Sequence, residues 1–471
     1  MRDDPYAAGG MTMIKRSEKK KMPRILVTAA SSGGGKTTVT CGLLQALVNR
    51  KMDVAAFKCG PDHIDAMFHE KVIEARSKNI DLFLTDEDTT KYLFGREAAG
   101  ADISVIEGVM GFYDGRGLTA VDASSYDISS KLGTPVIFVA TCGMLGGSLG
   151  ALVKGYVDFR KNNIKGIILN KATEDTYPEV KEFIERETGI KVLGYLPNVK
   201  EMVIGSRHLG LILPSEVEKL KDKLNKLADV MERTIDIDSI IEIANGADDL
   251  EYSEPDLQFD PVKVRIGVAS DDCFCFLYKD NMELLERLGA EIVYFSPLKD
   301  ERLPADINGI IIPGGYPELY ADRLSENRSM LDSIKESIDN GMPCMAEAGG
   351  FMYLHNELED ISEKFHRMVG AIDEKAFRTK GLVRFGYITV IPKNDCLVGK
   401  GSGLRGHGFH VWDSTDPGKD CDAVRPSGGG YECMHARENL FVGFPQPFYY
   451  SDPAAAHKFL VGCREHSNRK I

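Results

Sequence analysis

RILVTAASSGGGKTTVTCGLLQAL, residues 24–47, decides the architecture of the first half of this chain. Arg24-Ile25-Leu26-Val27-Thr28 predicts a strand, and Ala29 to Thr38 a glycine-rich loop. Leu43, Leu44 and Leu47 then mark the apolar face of a helix. Strand, loop and helix in that order make a phosphate cradle. Gly33, Gly34 and Gly35 let the backbone turn its N–H groups toward phosphate oxygens with no side chain in the way. Lys36 is placed to meet the β- and γ-phosphates and Thr37 to offer its hydroxyl to Mg²⁺, with Ser32 and Thr38 flanking them, and the helix N-terminus adds partial positive charge. The general pattern has Gly six positions before the lysine, where this chain has Ala30.

At 471 residues the chain is too long for one hydrophobic core and calls for two or three domains. Its 43% hydrophobic and 27% charged residues are those of an ordinary globular protein. A net charge of −13 speaks against nucleic acid as a main partner, which would need a basic face. No apolar run is long enough to span a bilayer, and residues 1–22 lack the apolar stretch of a signal peptide, so no membrane partner is expected. That segment reads as a disordered basic leader. The ten cysteines include no C-x-x-C pair, and Cys273 and Cys275 read as alternating strand positions, in keeping with a reducing cytoplasm.

Apolar strand-like runs alternate with helical patterns in two series, which predicts α/β architecture with mainly parallel sheets. The first series occupies residues 23–230 and the second 263–471. Between them, 231–262 reads as a linker ending in the acidic stretch NGADDLEYSEPDLQFDP. SGGGYE, residues 427–432, reads as a turn.

Strands of an open α/β sheet deliver functional residues at their carboxyl ends. FKCGPDHID places Lys58, Asp62 and Asp65 after one strand, and VIEGVMGFYDG places Glu107 and Asp114 after another. Glu107 or Asp62 can hold Mg²⁺, directly or through water, while Lys58 can neutralise charge on a transferred phosphoryl group. Each residue alone is equally a turn former or a surface charge; their placement on successive strand ends is what singles them out.

SSGGGKTT, FKCGPDHIDAMFH, ADISVIEGVMGFYDG, GIILNK, VLGYLP and SRHLGLILP, in this order, resemble the amidase domain of the cobyrinic acid a,c-diamide synthase family. GAEIVYFSPLKDERLP, IIPGGYPELYADRLSENRSM, MAEAGGFMYLH, RFGYITV and LRGHGFH resemble that family's C-terminal glutamine amidotransferase domain, so the likeness covers residues 23–463. The resemblance implies a dethiobiotin-synthetase-like P-loop domain followed by a class I glutamine amidotransferase-like α/β domain. It also implies an ATP- and Mg²⁺-dependent amide ligase that phosphorylates a tetrapyrrole carboxylate and lets ammonia attack the acyl phosphate. On it, Lys36, Asp62, Asp65, Glu107 and Asp114 are the catalytic set, and Ser32, Gly33, Gly34, Gly35, Lys36, Thr37, Thr38, Lys58 and Asn170 hold the nucleotide. Thr37, Asp62 and Glu107 face the metal.

The chain departs from the family in four places. His63 stands where the family has Tyr, and Gly143-Met144-Leu145-Gly146-Gly147-Ser148 lacks a usual Arg. The nucleophile turn E-C-G-G reads Glu347-Ala348-Gly349-Gly350, and the family's H-L-H base string aligns with Gln446-Pro447-Phe448. Alanine offers no nucleophile, and neither Gln nor Phe can take a thiol proton. Cys344 falls inside the preceding strand, with its thiol expected in the core. The C-terminal domain is therefore expected to keep the glutaminase fold without hydrolysing glutamine. Its Gly314-Gly315-Tyr316-Pro317-Glu318 and Arg405–His410 strings either preserve that fold or lend His407, His410 or His435 to a new site.

Three functional readings follow. The first is a ligase fed by free ammonia or by a separate glutaminase, with a homodimer as the expected assembly. The second is an amide ligase for a different acid or amine. The third is a non-catalytic protein that holds ATP or a tetrapyrrole. A partitioning-type P-loop ATPase is disfavoured, because it leaves FKCGPDHID and the second domain without a role.

Overall fold

The computed structural model describes residues 18–117, 119–142, 146–198 and 214–469, apart from the side chains of 18 and 214–216. Strand β1 (Glu18–Lys20) precedes β2 (Arg24–Ala29), whose six residues are all buried. After the glycine-rich loop come α1 (Lys36–Asn49), β3 (Val54–Cys59), α2 (His63–Lys71), β4 (Arg76–Ile80), α3 (Glu87–Ala98) and β5 (Ile103–Glu107). Then α4 (Ser125–Lys131), β6 (Val136–Thr141), α5 (Gly147–Asp158), β7 (Ile164–Asn170), α6 (Tyr177–Thr188) and β8 (Val192–Leu196) complete the alternation. The strands form one parallel sheet ordered β4-β3-β5-β2-β6-β7-β8. The glycine-rich loop leaves its centre, at the carboxyl end of β2.

Both faces of this sheet are covered, which is why its strands read as continuous apolar runs. Ile25, Val27 and Ala29 of β2 pack with α1 on one side, while Leu26 packs on the other with Phe57, Phe138 and Phe94. Helices α7 (Pro214–Thr234) and α8 (Ile237–Asn245) complete the first face through Leu224, Leu227, Met231, Ile237 and Ile240. β9 (Leu250–Tyr252) then pairs antiparallel with β1. The fully buried Arg24 ties this return to the sheet, donating from Nη2 to Asp248 O at 2.8 Å and from Nε to Leu132 O at 3.0 Å.

These contacts correct two sequence expectations. Residues 18–20 of the leader form a strand, and 231–252 of the supposed linker belong to the first domain's core. The expectation failed because NGADDLEYSEP is polar, whereas Ile235, Ile237, Ile240 and Ala244 just before it form an apolar stripe that fills a groove beside α1. The expectations for residues 1–17, 143–145 and 206–213 lie outside the described residues.

The second domain begins with β10 (Val264–Ala269), α9 (Lys279–Arg287), β11 (Ala290–Phe295), β12 (Gly309–Ile312), α10 (Ala321–Glu326) and α11 (Arg328–Asp339). β13 (Cys344–Glu347) and α12 (Gly349–Tyr353) enclose Ala348, and β14 (His355–Glu359) and β15 (Phe365–Arg367) follow. The long strands β16 (Ile372–Pro392) and β17 (Leu404–Ser414) lead to β18 (Cys421–Val424), β19 (Gly430–Cys433), β20 (His435–Ala436), β21 (Leu440–Gly443), β22 (Gln446–Pro447) and α13 (Pro453–Arg469). A six-stranded sheet ordered β11-β10-β12-β13-β21-β20 is parallel except at β20. A second sheet runs β15-β14-β16-β17-β22, with β18 attached to β16 and β19 to β18. Cys273 and Cys275 lie in the loop after β10 and not on a strand, a third correction: Asp271 Oδ1 accepts from the N–H groups of Cys273 and Phe274 and turns the chain there.

The domains meet along α9 and β17. Lys78 Nζ on β4 reaches Asp280 Oδ1 at 3.0 Å and Glu283 Oε2 at 2.7 Å, and Arg96 on α3 joins the same carboxylates. Arg405 on β17 donates to Phe83 O at 3.3 Å, and Tyr387 O–H on β16 donates to Asp81 Oδ2.

Candidate active site

Gly33 and Gly35 adopt positive φ of 75° and 92°, the left-handed conformations that turn the loop into α1. A side chain at Gly35 is excluded twice, since a Cβ would lie 2.2 Å from Asn170 Nδ2. Asn170, at the end of β7, donates to Gly34 O at 3.2 Å, and Thr141 at the end of β6 donates to the same oxygen at 3.1 Å. Ser32 and Gly33 form the solvent-facing lip, and Thr38 is half-buried in the first turn of α1. Lys36 Nζ bends back to Ser31 O at 2.9 Å and to Met110 O in the loop after β5. Burial and the nearby Lys58 ammonium lower the Lys36 pKa.

Glu107 is the centre of the site and is fully buried. Its Oε1 accepts from Thr37 Oγ1 at 2.6 Å and from Lys58 Nζ at 3.0 Å. Lys58 also pairs with Asp65 Oδ2 at 2.6 Å. Burial alone would raise the Glu107 pKa, but Lys58, His69 and the Thr37 hydroxyl outweigh it and hold the carboxyl below its usual range. Burial likewise opposes the Lys58 charge, and Glu107, Asp65 and Asp62 more than restore it. Asp65 goes the other way. Burial, then the Glu107 charge, pushes it up to about 6.

Adjacent strand ends assemble this group: β3 delivers Lys58 and β5 delivers Glu107, paired in register, while α2 supplies Asp65. Asp62 caps α2, its Oδ1 accepting from Ile64 N–H at 2.9 Å. Asp114 accepts the Gly111 N–H at 2.9 Å and shapes the loop that carries Met110. His69 was not anticipated from the sequence. It sits one helical turn beyond Asp65, fully buried, with Nε2 3.2 Å from Glu107 Oε2 but without hydrogen-bond geometry. The Asp65-x-x-x-His69 spacing was the available signal.

The orphaned Glu107 Oε2 provides a test for a divalent cation. A buried, ionised carboxylate with one oxygen lacking a hydrogen bond, beside the P-loop hydroxyl, is a donor set of the type that binds Mg²⁺ together with water and phosphate oxygens. The residues fit. Asp62, assigned to the same ion on sequence grounds, has one oxygen committed to its helix cap.

In the second domain, the turn that the sequence resemblance aligns with a nucleophile turn holds Ala348. Ala348 adopts φ 45° and ψ −110°, a strained turn between β13 and α12. A Cβ at Gly350 would lie 2.0 Å from Ile312 O, and one at Gly315 1.8 Å from Cys273 O, so these glycines hold the turn and its facing loop together. Cys344 is fully buried in β13, and burial pushes its thiol up to about 12. Gln446 is buried at the domain seam with Nε2 3.4 Å from His407 Nε2. His407 Nδ1 lies 3.3 Å from Tyr278 Oη, which is 3.2 Å from Pro61 O of the first domain. Since the tyrosine hydroxyl donates to Pro61, this network fixes His407 with its proton on Nδ1 and Nε2 accepting from Gln446.

His63 turns into the same seam, stacked on Phe276 at 5.3 Å and 4.2 Å from the Tyr278 ring. Burial keeps it neutral, its pKa far below the usual value. His410 stacks on Phe444 at 4.1 Å, and His435 Nε2 bonds Asp416 O at 3.1 Å, so both serve the fold.

Residues 25–210 match the model of a CobQ/CobB/MinD/ParA nucleotide binding domain, and residues 265–438 that of a CobB/CobQ-like glutamine amidotransferase domain. Cobyrinate a,c-diamide synthase of Caldanaerobacter subterraneus subsp. tengcongensis is 39% identical, over 91% of this chain and 96% of its own length. The proteins of that name from Listeria innocua and Clostridium acetobutylicum are 38% and 41% identical, over 92% and 83% of this chain and 98% and 87% of their own. Among solved structures, PurLQS from Thermotoga maritima overlaps 44% of this chain and 99% of its own at a TM-score of 0.30 and 17% identity, too loosely to assign a fold. The chain belongs to the cobyrinate a,c-diamide synthase family and is an ATP-dependent carbon–nitrogen ligase.

Proposed function

We propose that this member of the cobyrinate a,c-diamide synthase family amidates side-chain carboxylates of a corrinoid through an acyl phosphate, using ammonia that its own second domain does not generate. The observation that carries the reading is the contrast at two turns: Glu107, Lys58, Asp65 and Thr37 are assembled around the P-loop, while the nucleophile turn carries Ala348. Thr37 and Glu107 would hold a Mg²⁺ ion, which would supply charge neutralisation for the phosphates.

In the first step a substrate carboxylate oxygen attacks the γ-phosphorus, and the bond to the β,γ-bridging oxygen breaks to release ADP. Lys36, released from Ser31 O and Met110 O, follows the phosphate charge, and Lys58 supplies a second fixed cation. In the second step the ammonia nitrogen bonds to the acyl carbon, the carbon–oxygen bond to phosphate breaks, and the nitrogen loses a proton. Asp65, with its carboxyl near pH 6, is a suitable acceptor for that proton. Ammonia comes from solution or from a separate glutaminase, and a homodimer is the assembly we expect.

ADP release with cobyrinic acid, compared in ammonium and in glutamine, tests this reading. Turnover in ammonium with a mass loss of about one dalton per carboxylate supports it. Glutamate release from glutamine would overturn the ammonia assignment, and absence of turnover with either nitrogen source would overturn the corrinoid assignment.

A further inference from the structure

Strand β17 presents alternate side chains to the first domain. Arg405 reaches Phe83 O and His407 lies 6.0 Å from the His63 ring. Phe409, about 7 Å further along the same face, meets no such partner among the described residues and is 47% exposed. Phe385 of β16 packs edge-on to it at 5.6 Å and is 58% exposed, and Leu382, three residues earlier in β16, is 50% exposed. Among the described residues, neither Gly381 nor Gly386 has any atom within 4 Å of a would-be Cβ, so none of them fills the space around this run of β16.

We infer that Phe385, Phe409 and Leu382 form a platform on which the substrate's flat macrocycle lies while its side-chain carboxylates reach the strand ends of the first domain. This rests on the corrinoid reading above. Three observations favour that occupant. The platform continues the seam that already holds the Gly60–His63 loop, where Tyr387 Oη lies 3.8 Å from a would-be Gly60 Cβ. Lys380 lies in the same run of β16, local positive charge on a chain of net charge −13, which suits a polycarboxylate ligand, while the neighbouring Arg384 is paired with Asp413 at 2.6 Å. The patch is also small. Three side chains offer roughly a few hundred Å² of apolar surface, below the 1,000 Å² or so of a stable protein interface and well matched to one ring system.

The chain's single tryptophan, Trp412, lies three residues from Phe409 and gives an optical readout that needs neither ATP nor turnover. Quenching of Trp412 by cobyrinic acid is measured in the wild type, Phe409→Ser, Phe385→Ser and Phe409→Tyr. Loss of one ring is expected to raise Kd by about tenfold, with the Tyr variant near wild type and thermal melting unchanged. Wild-type binding with unaltered Kd in both serine variants overturns the platform and leaves the corrinoid reading standing. No quenching in the wild type overturns the reading itself. A wild-type dimer that Phe409→Ser converts to a monomer of unchanged Kd assigns the patch to a second copy of this chain and also overturns the platform.

Discussion

The two domains of this protein have kept different things. Around the P-loop, polar side chains converge: Thr37, Lys58, Asp65 and His69 all lie within contact distance of Glu107 or of the lysine beside it. Around Ala348, the backbone is in place without the chemistry. The strained turn, the glycines packed against β12 and the buried Glu347 survive where no thiol remains. Side chains that react are lost by one substitution, whereas a turn wedged between β13 and α12 also supports the core of Phe351, Met352 and Cys344 and cannot be removed without it.

This contrast is most exposed to attack at Lys36. Lys36→Ala should lower ADP release about 10³-fold while the melting temperature holds, because the side chain lies against loop carbonyls and not the core; retained turnover would remove the P-loop assignment. Glu107→Gln should lower turnover about 10²-fold and stability by about 3 kcal/mol, since Lys58 loses half of its buried counter-charge. Equilibrium unfolding alongside kinetics separates the two effects, and an unchanged rate would make Glu107 purely structural.

The second domain should respond in stability and not in rate. Burial pushes Glu347 up to about 8, with the Tyr449 hydroxyl 3.2 Å away opposing the shift. A carboxyl whose folded pKa exceeds its unfolded value favours the fold fully below the unfolded value of 4.5, and that contribution is lost as pH rises to about 8. Glu347→Gln should flatten the stability profile over this window, by an amount on the order of a few kcal/mol; an unaltered profile would show that Glu347 ionises freely. The smallest effect belongs to Ala348→Gly. Relieving the positive φ should stabilise by about 1 kcal/mol with turnover unchanged, and destabilisation would mean the turn is not strained.

Much of the first site was legible because its residues fall close together in short strings. GGGKTT contains the loop glycines, the lysine and the hydroxyl, and FKCGPDHID contains Lys58 and Asp65. His69 was legible in spacing and overlooked. His63 was noticed as a departure, but its partners Phe276, Tyr278 and His407 come from another domain, and nothing local to FKCGPDHID announces them. The end of the first domain was misplaced for a related reason: α8 and β9 gain their meaning from a groove beside α1 and from pairing with β1, partners some two hundred residues away in sequence.

The sequence by itself determined the α/β class, the phosphate loop and the absence of a nucleophile at position 348, since each depends on residue identity and short-range spacing. Tertiary structure alone decided which carboxylates share Lys58, that His407 and Gln446 face His63, and that Phe385 and Phe409 stand open beside the seam. Those are properties of strand order and domain docking, and they follow from which apolar faces bury one another across the chain.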